Sequence, residues 1–402
     1  GTYTRTCMAA CCEFEVHHAC VAYEHSDAAR RRVLLMSTNR SVASARTQLR
    51  FPGEFREGVA LPFVGKKRDE PRPTDEEYIA GRGAFPMTWH PRGRVGLVVE
   101  LSMDNLWHVL FHAIPIREMF VRRKLPLDSV DFLPRYTQYW PVRDMSKYHK
   151  EPTRPVREWP GWEMLLRSIV EEQPEARLSE MITRTQSLIE PHHWQCYHTL
   201  IGGHEGWWPS IRGSNISALL GAQPTVLAFR LAMFRNLKIS AVPEHRIVFE
   251  LREGSRSIVN QAELMQNVSH DPDLMGRIRF VSLVKMPIAE QLRLAGSSIG
   301  FAGAHGAGMS MTAFLPSSSG VRTSVLELFP RRMTRQITHA WVDYKRWAIM
   351  NNVDYYMLAR QPDTANCIDK DFRTCGNMSV DIAATTATLR RMLLRAAQSS
   401  TR

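Results

Sequence analysis

The feature that most constrains the fold is an alternation of apolar runs and helix-like segments between residues 246 and 329. The apolar runs are short and typical of buried strands: 246–251, 278–283, 299–302 and 324–329. The segments between them have apolar residues at helical spacing: 259–267, 287–296 and 308–314. Strands that alternate with helices predict parallel βαβ units and therefore an α/β fold, which a last helix from Ile382 to Ala396 would close.

The third of these strands leads into a glycine-rich turn, Gly303-Ala304-His305-Gly306-Ala307-Gly308. Glycines let the backbone approach a phosphate closely, and a helix N-terminus presents unpaired N–H groups and the positive end of its dipole to it. Ligands of open α/β sheets bind at such strand ends. The turn favours a diphosphate site, and the alternative is a buried strand–helix turn that contains glycine for packing.

The composition is that of an ordinary globular protein. The 402 residues suggest two or three domains, and a hydrophobic content of 44% is enough for full cores. No uninterrupted apolar run of about 18 residues occurs, so no transmembrane helix is predicted. The formal net charge is +12, but the basic residues are scattered and no nucleic-acid-binding signature is visible. We expect a solvated basic surface and no nucleic-acid partner.

Several segments together form a recognisable set of sequence motifs. HGAG is followed by FLP at 314–316 and ELFP at 327–330. Upstream, Arg252, Arg256, Asn260 and Glu263-Leu264 follow a strand, and residues 104–112 read DNLWHVLFH. A cysteine-containing tail and a last helix lie between residues 367 and 394. This set resembles glycosyltransferase family 61 over roughly residues 95–395.

The resemblance implies a GT-B-like α/β fold, in which two Rossmann-like domains face a cleft and a helix closes the C-terminus. The implied division is an irregular N-terminal segment with cysteines, an acceptor-side α/β domain and a Rossmann-like domain that binds the nucleotide sugar: 1–92, 93–238 and 239–402. The pattern of apolar residues by itself indicates only the second α/β half.

The resemblance also implies the activity. It predicts an inverting, metal-independent glycosyltransferase that moves a sugar from a UDP-sugar to a hydroxyl of a glycoprotein or polysaccharide acceptor. The family uses both N-acetylglucosamine and pentoses such as xylose, and its animal members modify O-linked mannose or EGF repeats. No cofactor or metal is expected, because the two D-x-D matches, Asp271-Pro-Asp273 and Asp369-Lys-Asp371, do not lie where a metal-binding motif would.

The leaving diphosphate then needs charge stabilisation from side chains. Arg252 and Arg256 match the arginine pair of the family. A guanidinium group stays protonated and can bind two phosphate oxygens at once, in a bidentate contact. The resemblance adds His305, Gly306, Ala307 and Gly308 to the donor site. His305 is equally consistent with a buried histidine whose partners lie within the turn.

One acid interrupts the apolar strand after the turn. Glu327 would be buried there, and a buried carboxylate needs a partner, so we expect a ribose hydroxyl or an arginine beside it. Glu327 is therefore assigned to the donor site. Asn260 and Glu263 are as consistent with capping a helix as with binding a ligand.

The predicted catalytic residues are His108 and His112, which lie one turn apart on one face of a predicted helix. His108 matches the histidine of the family, and an imidazole is suited to removing a proton from a hydroxyl. His112 stands where the family usually has an acid. This departure also supports an alternative, a catalytically inactive member that binds nucleotide or glycan, and two core histidines are the structural alternative.

The cysteines and the glycosylation motifs favour an oxidising compartment. Seven cysteines occur, four of them within the first twenty residues, and their spacing does not match a closed zinc site. Four Asn-x-Ser motifs occur, at Asn39, Asn215, Asn267 and Asn377. With the resemblance, they predict the lumen of the endoplasmic reticulum or Golgi, a local bridge from Cys367 to Cys375, and membrane contact only through an anchor outside this sequence.

Overall fold

The computed structural model describes most of the C-terminal half of the chain and separate parts of the N-terminal half. The described residues are 3–8, 11–23, 33–37, 55–56, 59–60, 87–101, 106–136, 160–170, 174–188, 193–202, 216–240, 242, 244–254, 256–284, 286–316, 322–330, 341–362 and 377–399. The chain forms two compact units. The first comprises Gly1–Asp104 and Phe111–Trp208, and the second comprises Asn105–Leu110 and Pro209–Arg402.

The first unit contains a mixed sheet. Its strands are β1 (Tyr3–Met8), β2 (Cys11–Tyr23), β3 (Val33–Ser37), β6 (Met87–Trp89), β7 (Val95–Leu101), β8 (Val130–Tyr136) and β9 (Trp194–Gly202), with a separate pair β4 (Phe55–Arg56) and β5 (Val59–Ala60). The main strand order is β1-β2-β9-β7-β8; β3 pairs with β2, and β6 with β9. Strands β7, β8 and β9 are parallel, whereas β2 runs antiparallel to β9 and is joined to it by a Cys20–Cys196 disulfide.

The pairing of β2 with β9 is long-range. Strands β1, β2 and β3 lie within the segment for which the sequence analysis expects irregular structure. Of these strands it is β2 that pairs with β9, and the disulfide between these two strands spans a separation of 176 residues. A pattern along the chain does not reveal that pairing. Strand β9 pairs with β2, and β2 in turn pairs with β1 and β3. The expected bridge from Cys367 to Cys375 lies outside the described residues.

Three helices lie between strands β7 and β9 in the sequence: α1 (Leu106–Arg122), α2 (Pro160–Ile169) and α3 (Pro174–Leu188). The helix α1 continues through Pro115. A proline inside a helix removes one backbone hydrogen bond. Buried apolar residues on both sides of it, Leu110, Ala113, Ile114 and Ile116, hold the helix in place.

The second unit contains the predicted parallel sheet. Its strands are β10 (Glu244–Glu250), β11 (Ile278–Val281), β12 (Ser298–Ala304), β13 (Ser324–Pro330) and β14 (Asp354–Gln361), in the order β11-β10-β12-β13-β14. All four strand pairs are parallel. Counted within this unit, the order is 2-1-3-4-5, which is that of a doubly wound sheet.

Helices cover both faces of the second sheet. They are α4 (Ile216–Gly221), α5 (Gln223–Asn236), α6 (Gln261–His270), α7 (Ile288–Gly296), α8 (Trp341–Met350) and α9 (Ile382–Ser399), together with a 3-10 helix at Ala307–Phe314. One face packs Phe249, Ala302 and Leu326 against α6 and α9. On the other side of the sheet the 3-10 helix packs with α5, α7 and α8, where Phe229 lies 6.3 Å from Phe314 between ring centroids.

These observations confirm the α/β fold predicted from the alternation of strands and helices. Each strand and helix predicted between residues 246 and 329 is present within a few residues of its expected bounds. Strand β14 and helix α8 were not predicted from the sequence. Among the helices that the structure describes, none has both the length and the apolar character needed to cross a bilayer.

Candidate functional site

A row of three paired residues lies at the C-terminal ends of neighbouring strands in the second sheet. Glu250 at the end of β10 pairs with Gly303 in β12, and Gly303 pairs with Glu327 in β13. Paired residues of parallel strands point to the same face, so two acids flank a glycine on that face. The row lies at the switch point between the first and third strands of the unit, where doubly wound sheets bind their ligands.

The glycines of the turn after β12 make room for charged side chains. A Cβ atom on Gly306 would overlap the guanidinium group of Arg252, and a Cβ atom on Gly308 would overlap the carboxyl group of Glu250. At Gly303, a Cβ atom would lie 3.1 Å from that of Glu250. Arg252 and Glu250 therefore lie directly against the backbone of the turn at Gly306 and Gly308.

The loop after β10 brings the two predicted arginines to this turn. Gly254 has φ 78° and Arg256 has φ 65°, so both have a left-handed backbone conformation. Left-handed backbone at a non-glycine residue is unfavourable and persists where the surroundings require it. The Nη1 group of Arg256 donates to the carbonyl oxygen of His305 at 3.2 Å. Within the described structure its Nε group is buried without a hydrogen-bond partner.

The C-terminal tail holds the end of this loop. Met378 forms a parallel bridge with Ile258, and the Asn377 side chain accepts a hydrogen bond from the backbone N–H of Ser257 at 3.1 Å. The side chain of Asn260 binds both backbone groups of Val380, at 3.0 and 2.9 Å. Asn260 therefore ties the tail to the arginine loop, and its side chain makes no capping hydrogen bond to helix α6.

His305 pairs with the buried Glu327. Nδ1 of His305 lies 2.5 Å from one carboxylate oxygen of Glu327, and the hydroxyl of Tyr355 donates to the other at 2.6 Å. The partner expected beside Glu327 was a ribose hydroxyl or an arginine, whereas these two side chains occupy both of its oxygens. A carboxylate at Nδ1 fixes a proton on that nitrogen, so Nε2 is the nitrogen available for other chemistry.

Helix α8 closes the turn from another side. The buried hydroxyl of Tyr344 donates to the carbonyl oxygen of Gly306 at 2.5 Å. The ring of Tyr344 also meets the His305 ring edge-on at a centroid distance of 5.4 Å. The backbone of the turn is thus held by one hydrogen bond from α8 and by another from the arginine loop.

The 3-10 helix after the turn is held at its far end. Asn351 donates to the carbonyl oxygens of Thr312 and Leu315 at 2.7 and 3.1 Å, and Arg230 also donates to Leu315. Burial lowers the pKa of Arg230 to about 10, which leaves it charged at neutral pH. These donors satisfy carbonyl groups that would otherwise be unpaired at a helix end.

Burial dominates the electrostatics of the site. It raises the pKa of Glu250, and the neighbouring Arg252 and Arg256 oppose that rise. Burial and the charge of Arg252 lower the pKa of Arg256 to about 10, against the opposing effects of Tyr344 and Glu250. Arg256 therefore carries charge at neutral pH, beside a carboxyl group whose pKa is raised by burial.

The structure brings the predicted donor residues together through contacts. Arg252 lies against Gly306, Arg256 binds the His305 carbonyl, and His305 binds Glu327; Ala307 and Gly308 begin the 3-10 helix. His108 and His112 both lie in α1, and their side chains are outside the described part of the structure.

Three residues at the site were not predicted: Glu250, Tyr344 and Tyr355. Glu250 carries a signal that was available, since it is an acid at the end of the apolar run Ile247–Phe249, as Glu327 is in its own strand. The tyrosines carry none, because β14 and α8 were not recognised as elements.

The comparisons with known proteins bear on this same region. A family model described as Glycosyltransferase 61 matches residues 213–322. The match supports membership of glycosyltransferase family 61. It covers the arginine loop, the glycine turn and the 3-10 helix. No curated protein matches the chain.

The family match supports glycosyltransferase activity, with a sugar donor and an acceptor as its substrates. The geometry is suited to one half of such a reaction. It places two arginines, a histidine and the N-terminus of a 3-10 helix at the switch point of the sheet. Such a set can bind an anionic leaving group and stabilise its charge.

Proposed function

We propose that this glycosyltransferase transfers a sugar from a UDP-sugar, with inversion and without a metal ion, to a hydroxyl of a glycoprotein or polysaccharide. N-acetylglucosamine and a pentose such as xylose are the proposed sugars. The resemblance to family members that extend O-linked mannose or modify EGF repeats favours N-acetylglucosamine. The proposal includes a GT-B arrangement of two Rossmann-like domains, which rests on the same resemblance, and maturation in the lumen of the endoplasmic reticulum or Golgi.

The observation that carries the proposal is the convergence of Arg252, Arg256 and the glycine turn 305–308 at the switch point of a doubly wound sheet. A diphosphate at this point would meet two guanidinium groups and the N–H groups at the start of the 3-10 helix. The buried Nε group of Arg256 supplies a donor that has no partner within the described structure. Guanidinium groups can carry out the charge stabilisation that other transferases obtain from a metal ion.

His305 would contact the donor through Nε2, since Glu327 holds Nδ1. The Tyr355 hydroxyl fixes Glu327 in turn, so the imidazole is presented in one orientation. In this arrangement Glu327 acts on the donor through His305. A ribose hydroxyl that bound this carboxylate would be a third partner, after His305 and Tyr355.

For the acceptor half of the reaction we propose His108 as the general base, with His112 in the place of the usual acid. The proposal rests on the resemblance of residues 104–112 and on the chemistry of imidazole. The alternative is a catalytically inactive member that binds nucleotide or glycan, and the histidine at position 112 is the observation in its favour.

Two measurements test the proposal. UDP-sugars, among them UDP-N-acetylglucosamine and UDP-xylose, are screened for hydrolysis and transfer with and without EDTA, and UDP affinity is measured by calorimetry. We expect at least one UDP-sugar to be turned over, with no loss in EDTA. Activity or UDP affinity that disappears in EDTA would show that a metal ion is needed, and UDP binding without turnover of any UDP-sugar would favour the inactive member.

The arginine site is tested by Arg256→Ala, which should weaken UDP binding by about 1.5–3 kcal/mol because hydrogen bonds to a charged group are lost. Arg279→Ala is the matched control, since Arg279 is exposed on β11. If Arg256→Ala binds UDP as the wild type does, the diphosphate lies elsewhere.

A further inference from the structure

Glu250 is a second acid at the proposed donor site, and the contacts of the described structure do not explain why it is there. The carboxyl group of Glu250 lies against Gly308, in the first turn of the 3-10 helix, and the side chain is only 5% exposed. Within the described structure its Oε2 atom is buried without a hydrogen-bond partner. A buried polar atom without a partner is costly, which points to a ligand that supplies the partner.

Glu327, the other acid of the row, provides a contrast; its strand β13 is separated from β10 by β12. Glu327 is also buried, but His305 and Tyr355 bind its two oxygens. Glu250 and Glu327 flank Gly303 in the same row of the sheet, so the protein contains one satisfied and one unsatisfied carboxyl group at the same strand ends. The unsatisfied one lies where the proposed diphosphate would meet the helix N-terminus.

The charged and titratable groups of the site come from several elements. Arg252 and Arg256 lie in the loop after β10, and both interact electrostatically with Glu250. His305 lies in the turn after β12, Glu327 in β13, Tyr355 in β14 and Tyr344 in α8. Because Arg252 and Arg256 are the positive charges that act on Glu250, an ionised Glu250 would serve as their counter-ion in the donor-free protein.

A diphosphate that binds the same arginines would bring negative charge next to that carboxylate. Two like charges at short distance in a poorly solvated site repel, and protonation of the carboxylate removes the repulsion. A neutral carboxyl group also gains an O–H donor, which suits a phosphate oxygen.

We propose that Glu250 is a binding residue of the donor site that holds a diphosphate oxygen as a neutral carboxyl group, so that donor binding takes up a proton. The inference rests on the proposed function. The proton comes from solvent, adds to a carboxylate oxygen of Glu250 as the donor binds, and returns to solvent when the diphosphate leaves. Burial, which already raises the pKa of Glu250, makes the neutral form accessible in the free protein.

The test measures binding of UDP-N-acetylglucosamine and UDP-xylose by calorimetry between about pH 5.5 and 8.5, in buffers that differ in ionisation enthalpy. The diphosphate of a UDP-sugar has no titratable group near neutral pH, so proton uptake reports on the protein. Wild type should take up as much as one proton per donor, and its affinity should fall by up to about tenfold per pH unit where Glu250 ionises. Glu250→Gln, which is always neutral, should bind without proton uptake and should lose most of this pH dependence.

Glu253→Gln is the matched control, because it removes the same charge from an exposed position in the same loop. It should behave as wild type. Proton uptake retained in Glu250→Gln would assign the proton to another group, such as His305, and overturn the inference. Weaker binding of Glu250→Gln at every pH, with no uptake in the wild type, would show an ionised Glu250 that accepts from a sugar hydroxyl and would also overturn it. Wild type that binds neither UDP-sugar at any pH would refute the proposed function itself.

Discussion

At the scale of single residues, the two acids of the donor site show how surroundings decide the behaviour of one chemical group. Glu250 and Glu327 are both buried and belong to the same row of paired residues. Glu327 has two close hydrogen-bonding partners, whereas Glu250 has two arginines nearby and one oxygen without a partner. The difference comes from which side chains the neighbouring loops deliver to each strand end.

The raised pKa of Glu250 predicts a dependence of stability on pH. A carboxyl group whose folded pKa exceeds its ordinary value of 4.5 contributes stability below that value, and the contribution is lost as the pH rises through the folded pKa. Glu250→Gln cannot ionise and avoids this loss. In donor-free protein, the difference in melting temperature between Glu250→Gln and wild type should therefore shift in favour of the variant as the pH rises above about 4.5.

Melting curves recorded across that range by circular dichroism, with Glu253→Gln as the reference for removal of an exposed charge, measure the effect. A difference between Glu250→Gln and wild type that stays constant with pH would mean that the carboxyl group has the same ionisation in the folded and unfolded chain.

The proposed catalytic role of His108 gives a second prediction at this scale. His108→Ala should lower kcat on the order of 10²-fold or more, which is the usual effect of losing a general base. UDP affinity should change little, because the proposed donor contacts come from other residues. His112→Asp, which restores the acid of the family, should keep or raise activity. Near-normal turnover by His108→Ala would assign the two histidines to packing.

At the scale of elements, the site depends on segments that are distant in sequence. The order 2-1-3-4-5 places the loop after β10 next to the turn after β12, although about 50 residues separate them. Helix α8 and the tail before α9 then hold the backbone of the turn and of the loop. Each of these contacts orients a group that the proposed chemistry needs.

The two hydrogen bonds between the Asn260 side chain and the backbone of Val380 can be tested by mutation. Asn260→Ala removes both hydrogen bonds to Val380 and leaves buried backbone groups unpaired, so the second unit should lose about 1–3 kcal/mol of stability. UDP affinity should fall less than in Arg256→Ala, since the arginine itself remains. Asn267→Ala in helix α6 is the control, because Asn267 is exposed.

Thermal unfolding and UDP calorimetry on the three variants separate these effects. An Asn260→Ala protein that is as stable as wild type would show that the tail segment 377–380 is held by its backbone hydrogen bonds alone.

At the scale of the whole molecule, the chain combines a mixed sheet in one unit with a parallel sheet in the other. The disulfide between Cys20 and Cys196 joins adjacent strands in the first unit. A bond that closes a loop of this length restricts the unfolded chain strongly. Such bonds persist in oxidising compartments, in agreement with the proposed secretory location.

Secretory maturation can be tested on protein from a eukaryotic secretory host. Intact mass should show glycan at one or more of four sites: Asn39, Asn215, Asn267 and Asn377. At least two disulfides should be present, and peptide mapping without reduction should recover Cys20 linked to Cys196. Seven free thiols and an unmodified mass would rule out this maturation.

Prediction from the sequence succeeded where the signal is local. The strands and helices between residues 246 and 329 have strong apolar periodicity, and their type was predicted correctly. Asn260 shows the limit of such reasoning. Its position before a helix suggests a cap, but its side chain binds Val380, which lies 120 residues away. Local propensity cannot decide between two partners when one of them is brought in by the tertiary fold.

The sequence by itself determined the α/β class, the glycine turn and the arginine pair, because each depends on residues close together in the chain. Only the tertiary structure decided what those residues contact. The glycines at 306 and 308 admit Arg252 and Glu250, the partners of Glu327 are His305 and Tyr355, and strand β2 pairs with β9. Strand pairing and burial join residues that are distant in sequence, and those contacts set the charge and the hydrogen bonding of the site.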